Sequence, residues 1–372
     1  MLRILCVFAD LNIGGAESMC MNIYRKIDKS KIQFDFVKHS DKKGYFEDEI
    51  HKLGGKVFTA PRLKFYNIFQ YMHWWKKHLK NHPEHLIIHG HYFTISALFF
   101  YVAQKLKRIT VAHSHSTAFT NNHRFSPSII IKNRFLSSVE KYSDFCIACS
   151  KEAGNFVFPN KKFFILKNAI DTRKFLFNSK PRDQIRKELH YSNSDIVICI
   201  VASFTNPKNP FGVIEIFNSI HQNNPNTKLL WVGDGPLRTQ FEEKIIEHNL
   251  NNSIKLLGIR NDAYNILQAA DIFMLASFFE GLPVSVIEAQ ASGLPCILSD
   301  GISMDVSITD LCQFLPIDNP LVWSQAVSKL NYTQRKNTKA DIVAAGYDVE
   351  TTAKWLENFY TEILKERNLN NE

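Results

Sequence analysis

Two acids, Glu280 and Glu288, stand eight positions apart in the stretch ASFFEGLPVSVIEAQASGLPCILSD, residues 276–300. The run DIFMLAS (271–277) reads as a buried strand. Gly281 and Pro283 break it, so an apolar helix begins near Val284. The first amides of a helix have no partner inside the helix and favour an anion, phosphate above all. Glu280 lies before that helix start, and Glu288 falls about one turn inside it, too deep to act as a cap. The arrangement suits a ligand that is both phosphorylated and rich in hydroxyls. The amides near Val284, Ser285 and Val286 would take a pyrophosphate, Glu288 the two hydroxyls of a ribose, and Glu280 the hydroxyls of a sugar. A solvated helix glutamate beside a loop glutamate would show the same spacing. The apolar surroundings of Glu288 count against that, because a buried carboxylate needs a partner.

Four further stretches have chemistry-bearing residues at strand ends. In SFTNPKNPFG (203–212), Lys208 is at the tip of a tight loop, where it could reach a phosphate oxygen or simply face solvent. GDGP (233–236) is a strand-to-helix elbow with Pro236 as an early helical residue. NIGGAES (12–18) joins the first strand to the first helix, and its Gly14 and Gly15 allow close backbone approach to a ligand; the G-x-G-x-x-G spacing is lacking. VAHSHST (111–117) places His113 and His115 at a strand end, where either could touch substrate hydroxyls, transfer a proton, or be structural. No Walker loop and no D-x-D occur, so a metal-chelated sugar nucleotide is not expected. Cys146 and Cys149 form a C-x-x-C without a second pair or histidines at ligand spacing, so no metal is expected there.

These residues need strands and helices in alternation to position them. RILCVF (3–8), FDFVKH (34–39), HLIIHG (85–90), ITVAHS (109–114), FCIACS (145–150) and FFILKN (163–168) read as strands, with helical periods at 15–27, 44–54, 94–107 and 129–141. The pattern restarts with strands at 195–203, 228–233, 254–258, 271–277 and 295–300, and helices at about 208–222, 236–249, 262–269 and 284–292. Such alternation means a parallel sheet with helices on both faces. The polar seam near 170–182 divides the chain into residues 1–175 and 176–346. The expected fold is therefore α/β: two doubly wound, Rossmann-like domains facing each other across a cleft, with ligands at the carboxyl ends of the strands. A last helix, 347–372, has Trp355, Phe359 and Ile363 on one stripe that must dock, with the first domain as a candidate.

Composition bounds the partners. The 372 residues carry 45 Lys plus Arg against 36 Asp plus Glu, a net charge of +9. No run of five basic residues marks a nucleic-acid tail, so no nucleic acid is expected. The basic residues punctuate aromatic stretches, as in FYNIFQYMHWWKKHLK (65–80), which could face anionic lipid or merely cover the first sheet. The seven scattered cysteines, the missing signal peptide and the missing 20-residue apolar run place the expected location in the cytoplasm.

The set GGAE (14–17), HSH (113–115), N-A-I-D with Phe175, P-K-N (207–209), GDGP, and the E-x7-E block 280–288 with EGLP and ASGLP resembles the retaining glycosyltransferases of family 4, which have the GT-B fold. The wording of the E-x7-E block looks most like enzymes of bacterial capsular or exopolysaccharide synthesis. The resemblance implies that Glu288 binds the nucleotide ribose and that Glu280 faces the donor sugar. The amides of Gly281, Leu282, Val284 and Ser285 would meet the diphosphate, and Lys208 would neutralise it. Gly15 would bring a first-domain loop over the phosphates, Arg260 would lie near the base through its backbone, and His113 or, preferably, His115 would contact the sugar or acceptor. Glu280, His115 and Lys208 thus form the implied catalytic set, with no metal and no cofactor. One departure is plain. Members usually carry an arginine just before the P-K-N loop, where this chain has Ala202-Ser203.

The resulting expectation is a UDP-sugar-dependent transferase acting on a polyprenyl-diphosphate-linked saccharide, peripheral on the inner face of the cell membrane. Two other readings remain open: a sugar-nucleotide 2-epimerase of the same fold, and a degenerate nucleotide-binding partner of another transferase.

Overall fold

The computed structural model describes residues 1–115, 138–332 and 334–369. The chain forms two compact units. One comprises Met1–Ile170 and the C-terminal helix Val349–Leu369, and the other Asp171–Asp348.

The first unit is built on seven parallel strands: β1 (Leu2–Val7), β2 (Ile32–Lys38), β3 (Val57–Thr59), β4 (His85–Gly90), β5 (Ile109–Ser114), β6 (Phe145–Ala148) and β7 (Phe164–Ile165), in the order β3-β2-β1-β4-β5-β6-β7. Because side chains alternate across a strand, each central strand feeds two cores. Ile4 and Cys6 of β1, Phe34 and Phe36 of β2, Ile87 of β4 and Val111 of β5 enter one core with the helix Gly15–Lys26 and the C-terminal helix. Leu5, Val7, Val37, Ile88 and Ala112 enter the other, under the helices Ile68–Asn81 and Phe93–Lys105. Asp35, the one carboxylate in the middle of β2, is held between Arg3 and His85, with Oδ2 at 2.7 Å from Arg3 Nε and 2.8 Å from His85 Nε2. Burial pushes its pKa up, but these hydrogen bonds and the Lys56 amide outweigh burial and hold it well below the usual range.

The C-terminal helix buries Val349, Ala353, Leu356, Phe359, Tyr360 and Ile363 in the first core, with Trp355 packed against it. The stripe expected from sequence thus has its partner in the first unit. The helix read at 129–141 lies outside the described residues except for its last turn, where 138–142 are helical.

The second unit repeats the design with β8 (Ile196–Val201), β9 (Thr227–Val232), β10 (Ile254–Gly258), β11 (Ile272–Leu275), β12 (Cys296–Ser299) and β13 (Cys312–Leu315), all parallel, in the order β10-β9-β8-β11-β12-β13. In both sheets strand order reverses beside the first strand, between β1 and β4 and between β8 and β11. A doubly wound sheet offers its ligand crevice at that switch point, at the carboxyl ends of the strands.

Candidate functional site

The second unit's switch point collects the residues singled out in its sequence. From the end of β8 the chain runs through Ala202–Thr205 into a short 3-10 turn, Asn206–Lys208, and then into the helix Pro210–Asn223. Asn209 is the pivot. Its φ of 52° and ψ of 53° are left-handed, a conformation asparagine tolerates, and its side chain caps the helix by accepting the Gly212 amide at 3.1 Å. Across the crevice, β11 ends at Leu275, and the loop 276–283 leads into the helix Val284–Ala291. The two loops are stitched together. The Phe278 amide donates to the Pro207 carbonyl at 2.8 Å, and Lys208 Nζ pairs with Glu280 Oε1, which also accepts the Ser277 hydroxyl at 3.1 Å. Glu280 is further fixed by its backbone, donating to Gly301 at 3.2 Å and accepting from Ser303 at 3.1 Å.

The helix Val284–Ala291 opens without a side-chain cap and with no acid in its first turn. The Val286 amide turns back to the Pro283 carbonyl at 3.1 Å, leaving the Val284 and Ser285 amides without an acceptor inside the helix. A Cβ built on Gly281 meets nothing within 4 Å, so packing does not demand glycine there and the loop backbone is open to a close-approaching group. One turn in, Glu288 keeps part of its surface accessible, yet its carboxyl lies deep enough that burial pushes its pKa to about 7. No described residue hydrogen-bonds that carboxyl. A desolvated, partnerless carboxylate beside a free helix start is the arrangement a diol on a phosphate would complete.

The glycines of GDGP have a packing reason. Gly233 has a φ of 142°, and a Cβ there would stand 2.0 Å from the Ala202 carbonyl oxygen; one on Gly235 would stand 2.6 Å from that of Phe204. The elbow after β9 therefore lies directly beneath the loop after β8. Ala202 also accepts the Trp231 indole at 2.8 Å, and the Ser203 and Thr205 hydroxyls are 3.2 Å apart. Hydroxyls stand where the family places an arginine. Arg260, after β10, has its guanidinium engaged on both oxygens of Asp262 at 2.7 Å.

In the first unit, Gly15 starts the helix after β1, and a Cβ there would meet nothing within 4 Å. His113 is fully buried in β5. His115, just past the end of β5, is 2.9 Å from His91, its Nε2 facing His91 Nδ1. Burial lowers the pKa of His115 to about 3, so it is neutral at physiological pH. With His89 these rings form a stack of four, adjacent centroids lying 4.1–5.3 Å apart. Sequence reading missed His89 and His91. Their H-x-H spacing in HLIIHGHYF, repeated in VAHSHST, was the available clue.

The sequence pattern described as "Glycosyl transferases group 1" matches residues 181–330, and that of "Glycosyltransferase Family 4" matches 13–174. Between them they span most of both units, and the chain belongs to the family 4 glycosyltransferases. It is 29% identical to EpsF of Bacillus subtilis (strain 168) over 372 residues, 96% of each chain. It is 22% identical to the capsular polysaccharide biosynthesis glycosyltransferase CapH of Staphylococcus aureus, covering 97% of this chain and 99% of that one. Over 204 residues, 51% of each chain, it is 32% identical to an Escherichia coli UDP-Gal:alpha-D-GlcNAc-diphosphoundecaprenol alpha-1,3-galactosyltransferase. Among solved structures, Anabaena HepE in complex with UDP and glucose superposes with a TM-score of 0.77 at 15% identity, over 97% of this chain and 100% of that one. The fold is GT-B, and the chain is a glycosyltransferase.

Proposed function

We propose that the protein is a retaining transferase that moves a sugar from a UDP-linked donor to a polyprenyl-diphosphate-linked saccharide in surface polysaccharide synthesis. The observation that carries this reading is Glu288: a carboxyl with no hydrogen-bond partner among the described residues, desolvated to a pKa of about 7, one turn inside an uncapped helix start at a switch point. In this reading Glu288 accepts the ribose hydroxyls, and the amides of Gly281, Leu282, Val284 and Ser285 take the diphosphate. Breaking the sugar–phosphate bond builds negative charge on the departing diphosphate and positive charge at the anomeric carbon. Fixed amides and the Lys208 ammonium stabilise the former without reorganisation, and Glu280 faces the sugar. Arg260 lies beside the base. His115, at a strand end of the first unit, contacts the sugar or the acceptor. The names of the capsular and diphosphoundecaprenol-dependent relatives support a lipid-linked acceptor.

The helix Ile68–Asn81 supports work at the surface of the cytoplasmic leaflet. Tyr71, Trp75 and Leu79 are buried, while Phe69 at 89% exposure and Tyr66, just before the helix, at 81% stand out beside Lys76, Lys77 and Lys80. No helix among the described residues is long and apolar enough to cross a membrane.

Calorimetry with UDP, paired with a transfer assay on lipid-linked acceptor from a membrane extract, tests the reading. UDP binding that falls with Glu288→Ala, together with transfer, is expected. Ala202-Ser203 is the one observation favouring a degenerate partner, for which binding without transfer would speak; a new nucleotide sugar formed from donor alone would instead mark an epimerase.

A further inference from the structure

Above the carboxyl ends of β1, β4 and β5, the first core holds a set of soft donors that the transferase reading does not use. Cys6 of β1, Cys20 of the helix Gly15–Lys26 and His91 bring two sulfurs and a ring nitrogen within 4.8 Å of one another. His89, His91 and His113 bring three ring nitrogens within the same limit, so His91 belongs to both sets. All five residues are buried, and they line one cavity of about 10 Å³ closed by Met19, Phe34, Leu356 and Tyr360.

The two thiols hydrogen-bond only each other, and the histidine nitrogens have less. Among the described residues, Nε2 of His89, Nε2 of His91 and both ring nitrogens of His113 are buried without a hydrogen-bond partner. Buried polar atoms are seldom left so, and several at one spot ask for an occupant. The space is that of a single small species. Two sulfurs are poor hydrogen-bond partners for a water. They are good ligands for a soft or borderline cation. The other nitrogens of His89 and His91 are already engaged, His89 Nδ1 with the Tyr360 hydroxyl at 2.5 Å and His91 Nδ1 with His115 Nε2 at 2.9 Å. That is the usual outer contact that fixes the ring of a metal-bound histidine.

We propose that Cys6, Cys20 and His91, with a ring nitrogen of His89 or His113 as fourth donor, bind one zinc-class transition-metal ion in the first unit. Two cysteines and two histidines are a common structural zinc set. Zinc–sulfur and zinc–nitrogen bonds of about 2.3 and 2.0 Å set donors roughly 3.3–3.8 Å apart, inside the 4.8 Å within which each triad lies, and the fourth donor moves in from the second triad on binding. The charges balance inside the apolar core. One divalent ion, two thiolates and two neutral imidazoles make a neutral centre, and the two thiol protons leave to solvent. Metal on His91 Nε2 would place the His91 proton on Nδ1. That proton would be donated to His115 Nε2, leaving His115 with its own proton on Nδ1. The ion would thus fix the tautomer of the acceptor-side histidine, and it stands apart from the donor site, where no metal is expected.

Cobalt(II) serves as the probe because thiolate ligation gives it an intense near-ultraviolet band. Reduced full-length protein, stripped with chelator, is titrated with Co²⁺ and then with Zn²⁺. A thiolate-to-cobalt band that saturates at one ion per chain, is displaced by Zn²⁺, and is absent in folded Cys6→Ser/Cys20→Ser protein is expected. His91→Gln should weaken binding at least about tenfold, and affinity should rise steeply with pH as the thiols give up their protons. Folded wild-type protein that shows no such band overturns the proposal without any variant. A band or a metal stoichiometry that persists in the double variant does the same, since the ion is then held elsewhere.

Discussion

Lys208 and Glu280, 72 positions apart in the chain, form an ion pair that joins the loop after β8 to the loop after β11. Both are mostly sheltered, with side-chain exposures of 23% and 15%. The pair holds an ammonium at the crevice mouth, beside the free amides of the helix Val284–Ala291. An incoming diphosphate would compete with Glu280 for that ammonium. The acid would then be released toward the sugar as the cation turns to the leaving group.

Replacing Lys208 by alanine should therefore lower kcat by about 10²–10³-fold, the usual effect of removing one preorganised group from a developing anion. UDP should still bind, because the helix amides and Glu288 remain. Steady-state kinetics beside UDP calorimetry would check this, and an unchanged kcat would remove Lys208 from the leaving-group role.

Glu288 predicts a pH dependence with a definite sign. Its folded pKa of about 7 lies above its ordinary value of 4.5, so the folded protein favours the protonated form. Any stability this lends is present at low pH and is lost as pH rises from about 4.5 through about 7. A ribose diol donates to the ionised form, so UDP binding should tighten as Glu288 ionises, by up to about tenfold per pH unit below 7, and level off above it. UDP has its own phosphate titration. The diagnostic quantity is thus the difference between wild type and Glu288→Gln across pH 5 to 8, which should vanish if another group is responsible.

Gly233→Ala should destabilise the second unit by about 2–3 kcal/mol, because the new Cβ would collide with the Ala202 carbonyl in a backbone conformation side chains rarely adopt. Thermal unfolding would show the loss. Gly281→Ala, whose Cβ would meet nothing in the protein, should leave the melting temperature unchanged and weaken UDP binding instead. Equal melting temperatures for both variants would contradict the packing account.

Vesicle co-sedimentation tests the aromatic and basic helix. Wild type should bind anionic vesicles at low salt and release at high salt. Tyr66→Ser with Phe69→Ser should reduce binding severalfold without changing the melting temperature, since both rings are exposed. Binding unaffected by the double change would place the contact elsewhere.

The long, strongly apolar central strands could be read almost residue by residue, because each is buried on both faces and shows as a continuous apolar run. β3 and β13 escaped, being three and four residues at sheet edges with little hydrophobic pattern to expose them. FFILKN (163–168) reads as a full strand but pairs only at Phe164 and Ile165, whose side chains stay exposed at the edge. At the site, the free helix start and the depth of Glu288 followed from spacing. The Lys208–Glu280 pair did not, since nothing in a linear pattern tells which loops a strand order brings together. The histidine stack needed the same knowledge: its two H-x-H pairs show in the sequence, but β4 and β5 are neighbours only in space, 24 positions apart at His89 and His113.

The first unit closes only with the C-terminal helix. The Val349 amide bonds the Ile170 carbonyl at 2.9 Å, and the Asp28 amide donates to Glu357 at 2.6 Å. Tyr360, buried in the first core, is synthesised only after the whole of the second unit. A nascent chain must therefore complete the second unit while the first still lacks a wall. Its aromatic interior is exposed meanwhile, which makes that interval the moment of greatest need for a chaperone.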